Sequence, residues 1–155
     1  FNMGYLNIRD FCEDILRGYE IKEDKPVPVV LASGLPDYRI YTDKKRLMQV
    51  ITNFINNALK FTSKGQITLE YHFKEGANEI EFSVTDTGCG IPIENQGKVF
   101  NRFEKLNSFI QGTGLGLNIC SIIAGRLKGE VKLDKNYTGG ARFLFILPLD
   151  SVPDK

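Results

Sequence analysis

The sequence predicts an α+β fold, a two-layer sandwich with one mixed, mostly antiparallel sheet packed on three helices. Three observations predict it. Apolar residues recur at helical spacing in three separate segments, and alternating strands come in pairs joined by short glycine-containing turns. The regular βα alternation that a doubly wound sheet needs is missing.

The elements follow in order. Leu6, Ile8, Phe11, Cys12, Ile15, Leu16 and Tyr19 recur at helical spacing, and the charged stretch Lys22 to Lys25 before Pro26 ends that first helix. Val27 to Ala32 and Tyr38 to Thr42 read as strands, separated by the turn Gly34-Leu35-Pro36-Asp37. Asp43 caps a long second helix. Ile67, Leu69, Tyr71 and Phe73 alternate with polar neighbours, as do Ile80, Phe82 and Val84 after the turn Glu75-Gly76-Ala77-Asn78, giving an antiparallel hairpin. From Gly88 to Gly114 periodicity fails, apart from a short helical possibility over Glu94 to Phe103, and this stretch resembles a lid. A third helix is expected from Leu115 to Leu127, then a closing hairpin of Val131 to Leu133 with Arg142 to Leu147, turning at Gly139-Gly140.

The 155 residues and 42% hydrophobic content fit a single domain over residues 1–155 that buries a core without staples. Twenty basic and nineteen acidic residues nearly cancel, so no overall field recommends nucleic acid or a membrane as partner. The three cysteines, Cys12, Cys89 and Cys120, are odd in number and lack metal spacing, which disfavours a disulfide framework or zinc site and fits a reducing cytosol. Phe1-Asn2-Met3-Gly4-Tyr5 resembles neither a signal peptide nor a natural start, and is expected to be the remnant of a longer chain.

The second helix carries the strongest chemical signal. At about 100° per residue, Arg46, Gln49, Asn53, Asn57 and Lys60 fall within a sector of about 80°, opposite the apolar face of Leu47, Val50, Ile51, Phe54 and Ala58. Asparagine and threonine are poor helix formers, so a merely solvated face, the alternative, has little reason to carry three and two of them between Thr52 and Thr62. An amide oxygen suits Mg²⁺ and leaves the metal's charge available to phosphate oxygens, which a lysine one turn on can also meet. The stripe reads as a Mg-nucleotide site.

Three further constellations extend it. Asp86 shares the parity of Ile80, Phe82 and Val84, so its carboxylate is aimed at the apolar side, where it needs a partner. An adenine amino group fits, and Gly88 and Gly90 beside Ile91 let a flat ligand approach the backbone; a turn aspartate at a strand end is the alternative. Gly112-Thr113-Gly114-Leu115-Gly116 leads into the third helix, whose amides can receive phosphate oxygens, although a flexible hinge would look the same. It is neither a dinucleotide fingerprint nor a Walker A loop. In Phe100-Asn101-Arg102-Phe103-Glu104-Lys105, either cation can reach a γ-phosphate when a lid folds over, or both are simply solvated. The only histidine, His72, sits at a polar strand position and reads as a surface residue.

Taken in order, the asparagine helix, Asp86-x-Gly88-x-Gly90, Phe100-x-x-Phe103 and Gly112-x-Gly114-x-Gly116 resemble the ATP-binding catalytic domain of bacterial sensor histidine kinases, over roughly Asn7 to Leu149. The resemblance implies the Bergerat-type ATP fold shared with gyrase, heat-shock chaperone and mismatch-repair ATPases, and ATP with Mg²⁺ as cofactors. It implies Asn57 as Mg²⁺ ligand, Asn53 as its polar neighbour, Lys60 as a phosphate contact, Phe61 against adenine and Asp86 as the adenine reader. Gly88, Gly90, Ile91, Phe103, Gly112, Thr113, Gly114, Leu115 and Gly116 would complete the nucleotide site. Lys105 falls where many members use an arginine, which keeps the charge but loses the two-pronged geometry. Arg142 stands where threonine is frequent and carries no implied role.

In the hydrolysing relatives a glutamate one turn before the metal asparagine activates water. Here that position is Asn53, which cannot accept a proton, so bound ATP should be spared for transfer to another nucleophile. The resemblance implies an acceptor histidine on a dimeric helical hairpin upstream, with Phe1 to Tyr5 as the remnant of the connection, and a response-regulator receiver domain as the next acceptor. A cytoplasmic setting is implied for the domain, without direct membrane contact, any anchor belonging to the rest of the parent protein. The alternatives are a nucleotide-binding signalling module without phosphotransfer and a gyrase-type ATPase.

Overall fold

Ten elements follow one another in a computed structural model that describes residues 2–20, 27–61, 65–74, 76, 78–87, 114–134 and 136–149, with backbone alone at 20, 61 and 114–116. They are β1 (Met3–Asn7), α1 (Ile8–Glu20), β2 (Val29–Leu31), β3 (Arg39–Asp43), α2 (Lys44–Phe61), β4 (Ile67–Lys74), β5 (Glu79–Asp86), α3 (Gly114–Arg126), β6 (Glu130–Leu133) and β7 (Arg142–Pro148). The expected irregular stretch, with its helical possibility over Glu94 to Phe103, lies outside the described residues.

The main sheet has five strands in the order β2-β4-β5-β7-β6. Only β2 and β4 run parallel; the other neighbours are antiparallel. The two expected hairpins are therefore present, and β7 slots between β5 and β6. Alternation does the rest. Ile67, Leu69 and Tyr71 on β4, Ile80, Phe82 and Val84 on β5, and Phe143, Phe145 and Leu147 on β7 are all buried on one face, where the register places Tyr71, Phe82 and Phe145 side by side. On that face α2 packs over β4 and β5, α1 meets β2, and α3 meets β6, β7 and α2.

One expectation needs correction. The sheet is not single, because β1 pairs antiparallel with β3 in a separate two-stranded ribbon, from Met3 opposite Asp43 to Asn7 opposite Arg39. The strand predicted at Tyr38 to Thr42 belongs to this ribbon, and residues 3–7 form a strand where a connecting remnant and the first helical turn were expected. Five residues carry too little periodicity to announce a strand, and the partner that creates it lies more than thirty positions on. The helix itself starts at Ile8 because Asn7 caps it: its Oδ1 accepts the Asp10 amide at 2.9 Å.

Asp43 caps α2 as anticipated, with Oδ1 accepting the Arg46 amide at 3.0 Å. Its Oδ2 accepts the Asn2 amide at 2.6 Å, so one buried carboxylate fastens the ribbon to the start of α2. The stack of Phe54 on Phe143, with ring centroids 5.4 Å apart, sets α2 against the main sheet.

Phe82 is fully buried at the middle of the central strand, between Tyr71 and Phe145. Phe82→Ala is expected to lower unfolding free energy by about 3–5 kcal/mol, read as an earlier denaturant midpoint. A change below about 1 kcal/mol would contradict this placement of the core.

Candidate functional site

Burial divides the polar stripe of α2 along its length. Arg46 and Lys60 are exposed, Gln49 and Asn53 are half-buried, and Asn57 retains only 3% of its exposure, while Asn56, beside the stripe, is exposed. Two of the polar residues that favoured a chemical reading have local structural work. Thr52 Oγ1 donates back to Met48 O at 2.7 Å, and Asn56 Oδ1 accepts the Tyr19 hydroxyl at 2.8 Å, joining α2 to α1.

Asn57 differs from both. Its Nδ2 donates to Asn53 O, one turn back, at 2.8 Å. That bond uses the NH₂ end, and the other end of an amide, its oxygen, is the one a hard cation binds. The donor set therefore fits a magnesium ion held by one neutral oxygen and otherwise by phosphates. Among the described residues no group of three His, Cys, Asp or Glu could hold a metal, so Mg²⁺ would need this lighter form of coordination.

Asn53 is positioned from α3. Its Nδ2 points to Cys120 Sγ at 3.6 Å, and the same sulfur donates to Val50 O at 3.9 Å. Cys120 is fully buried, and burial pushes its thiol up to about 12, partly offset by the Asn53 amide. Sequence reasoning considered this cysteine only for disulfides and metals. Its helical spacing from Leu117 and Ala124, both buried, was the available signal that it faces α2.

Asp86 ends β5 opposite Ile67 and has no exposed surface, as its parity requires. Its amide donates to Ala141 O at 2.8 Å, and its Oδ1 accepts the Ala141 amide at 3.1 Å. Val84, two residues earlier, pairs with Phe143, on which Phe54 of α2 stacks. The stack thus sets α2 on β7, the strand paired with the one that carries the carboxylate.

Two glycines absent from the expected set shape this end of the sheet. Gly140 has φ +154°, and a Cβ there would come 2.1 Å from Asp86 O. Gly65 has φ +102°, and a Cβ there would strike the Thr87 hydroxyl, which accepts the Gln66 amide at 3.2 Å. These contacts tie the strand following α2 to the residue following Asp86.

Of the other expected site residues, Lys60 is exposed in the last turn of α2, and Phe61 is that helix's final residue. Gly114, Leu115 and Gly116 open α3, so the end of the glycine segment does lead into a helix. Gly88, Gly90, Ile91, Phe103, Lys105, Gly112 and Thr113 lie outside the described residues. His72 is exposed, with Nε2 3.2 Å from Glu81 Oε1, and by parity it projects from the face of the sheet opposite Asp86.

Comparison with known proteins gives this geometry a family. The model for "Histidine kinase-, DNA gyrase B-, and HSP90-like ATPase" matches residues 42–151, from the end of β3 to beyond the end of β7. The chain belongs to this ATPase family. The adaptive-response sensory kinase SasA of Trichormus variabilis is 34% identical over 112 residues, 71% of this chain and 28% of its own length. The signal transduction histidine-protein kinase BarA of Escherichia coli is 34% identical over 131 residues, 80% of this chain and 14% of its own. This chain therefore spans less than a third of either relative. The nucleotide-free catalytic domain of histidine kinase ThkA superposes with a TM-score of 0.83 at 26% identity, covering 96% of this chain and 99% of that one. Full-length ShkA in complex with AMPPNP superposes at 0.82 with 28% identity, covering 99% of this chain and 32% of that one. Within the ATPase family, the chain has the catalytic-domain fold of the histidine kinases.

The buried thiol has a consequence for pH. The folded Cys120 keeps its proton up to about 12, whereas the unfolded thiol releases it near 9.0. The unfolded state binds fewer protons above that value, so stability present below pH 9 declines as pH rises toward 12. Cys120→Ala is expected to flatten this decline in denaturation midpoints measured from pH 8 to 11. Cys12, also pushed up to about 12 by burial and Glu13, will leave part of the slope. An identical slope in both proteins would contradict the burial of Cys120.

Proposed function

We propose that this chain binds Mg-ATP and donates its γ-phosphoryl group to a histidine on helices elsewhere in a two-component signalling kinase. The observation that carries the reading is that two polar side chains, Asn57 on α2 and Asp86 on β5, are buried on elements that pack against each other. A core tolerates such groups only with partners. The chain supplies Asn53 O to Asn57 and the Ala141 amide to Asp86, and a magnesium-bridged triphosphate and an adenine amino group have the chemistry to meet an amide oxygen and a carboxylate held in this way. Membership of an ATPase family and likeness to a kinase captured with AMPPNP support the same reading.

The residues divide the work. Asp86 accepts from the exocyclic amino group of adenine, and Phe61 lies against the base. Asn57 supplies the protein oxygen for Mg²⁺, which when bound neutralises phosphate charge. Lys60 and Lys105 place cations on the phosphate oxygens, while Gly112 to Gly116 offer amides at the N-terminus of α3. Gly88, Gly90, Ile91 and Phe103, which lie outside the described residues, are assigned to the nucleotide site by motif alone.

Asn53 accounts for transfer in preference to hydrolysis. It stands one turn before Asn57 and has no basic oxygen with which to activate water. The acceptor nitrogen then attacks the γ-phosphorus, the bond to the bridging oxygen breaks, and ADP leaves. His72 is unsuited as that acceptor, because it sits beside Glu81 on the opposite face of the sheet. The acceptor comes from helices preceding this domain in the parent protein, and a receiver-domain aspartate takes the phosphoryl group next. Residues 1–155 act as one domain on the cytoplasmic side. No helix among the described residues is long and apolar enough to cross a membrane.

Isothermal titration is expected to show ATP binding that depends on Mg²⁺. Asp86→Ala should weaken it by at least about tenfold, the scale of a hydrogen bond to a charged group, and Asn57→Ala should abolish the Mg²⁺ dependence. Unchanged affinity in both variants would reject the site. Transfer of radiolabel from ATP to the parent's histidine helices tests the reaction itself: no transfer would favour a binding module, and steady phosphate release would favour a gyrase-type ATPase.

A further inference from the structure

The carboxylate of Asp86 occupies a place in the sheet that normally belongs to its own backbone. Asp86 and Ala141 continue the β5–β7 ladder one step beyond Thr85 and Arg142, and the Asp86 amide donates to Ala141 O at 2.8 Å. In a regular antiparallel pair of this kind the two residues exchange both bonds, so the Ala141 amide would return to Asp86 O. Instead it donates to Asp86 Oδ1 at 3.1 Å. The displaced carbonyl must find another donor, since a buried C=O left unmade is costly. It finds the Tyr137 hydroxyl, at 3.1 Å.

Tyr137 is itself held by a short chain of contacts. Its amide donates to Asp134 O at 3.3 Å, and the Arg142 guanidinium lies 4.4 Å from the centre of its ring. Arg142 is pinned on both sides, by Nε to Thr85 Oγ1 at 3.0 Å and by Nη1 to Asp134 Oδ2 at 3.3 Å. Glycines make room for the arrangement. A Cβ on Gly139 would stand 3.0 Å from the Tyr137 hydroxyl, and one on Gly140 would collide with Asp86 O.

The geometry points to Tyr137 and Arg142 as positioning residues that set the base selectivity of the site, by holding Asp86 in the rotamer that accepts from a 6-amino purine. This rests on the proposed role of Asp86 and goes beyond it. Because the tyrosine hydroxyl satisfies the carbonyl, the Ala141 amide can stay on Oδ1 without leaving a buried acceptor unmet, and the carboxylate keeps one orientation. Without that hydroxyl, the amide can revert to the carbonyl and the carboxylate is released to other rotamers. A fixed carboxylate discriminates strongly, because a 6-oxo purine presents an acceptor where the site also presents one.

Tyr137→Phe removes the hydroxyl and keeps the ring beneath Arg142. With ATP and inosine triphosphate titrated in parallel, the variant is expected to lose about fivefold in preference for ATP, the scale of one neutral hydrogen bond. Affinity for inosine triphosphate should hold or rise. Arg142→Lys, which loses the flat stacking surface, should move the preference in the same direction. In an Asp86→Asn background, Tyr137→Phe should produce no further change. An equal loss for both nucleotides would reduce Tyr137 to a structural prop, and an unchanged ratio would overturn the inference. If Asp86→Asn itself leaves the ratio untouched, the adenine-reading role fails, a result distinct from failure of the tyrosine alone.

Discussion

A carboxylate at the end of a buried strand imposes conditions that much of the surrounding chain meets. Asp86 completes an inward-facing series with Ile80, Phe82 and Val84, and it has no exposed surface. Moving a carboxyl group into such surroundings is tolerable only with hydrogen-bond partners at hand. The β6–β7 connection supplies one from the Ala141 backbone and rearranges its own hydrogen bonds to do so. Gly140 adopts a backbone conformation that side chains rarely take, so that the connection can lie directly on the strand.

The helix layer obeys a related constraint from the other side. α2 must bury Leu47, Val50, Ile51, Phe54, Ile55 and Ala58 while keeping Asn57 among them. The bond from Asn57 to the Asn53 carbonyl lets the amide enter the core without an orphaned donor. Cys120 provides a soft, protonated neighbour for Asn53, a contact that neither a charged residue nor a methyl group would reproduce. The asparagine pair is thus braced by its own helix and by α3, and rigid support of this sort is what a positioned ligand requires.

Much of this could be read from the sequence because it is periodic. The three helices, the two hairpins and the inward aim of Asp86 all follow from spacing of 3.6 or 2.0 residues, and each appears where expected within a residue or two. The β1–β3 ribbon escaped because its strands are short and its pairing links segments far apart in the chain. Part of the polar signal on α2 proved local: Thr52 bonds to its own helix and Asn56 meets Tyr19, so the excess of helix-averse residues was not all chemistry. Tyr137 and Gly140 gave no sign of their contacts in the sequence, and the spacing of Cys120 announced its buried face but not its partner. Their importance comes from what they touch, Asp86 in two cases and Asn53 in the third, and no repeat or motif encodes a contact between distant positions.

The strand order also governs how the chain emerges during synthesis. β5 sits at the middle of the sheet, but one neighbour, β4, precedes it directly while the other, β7, is made only after α3 and β6. Until then a nascent β4–β5 hairpin carries an open edge lined by Ile80, Phe82 and Val84, apolar and β-prone. Such an edge invites pairing with the wrong chain. Glu79, Glu81 and Ser83, alternating with those residues, put charge and polarity into the same strand, the composition that discourages such pairing.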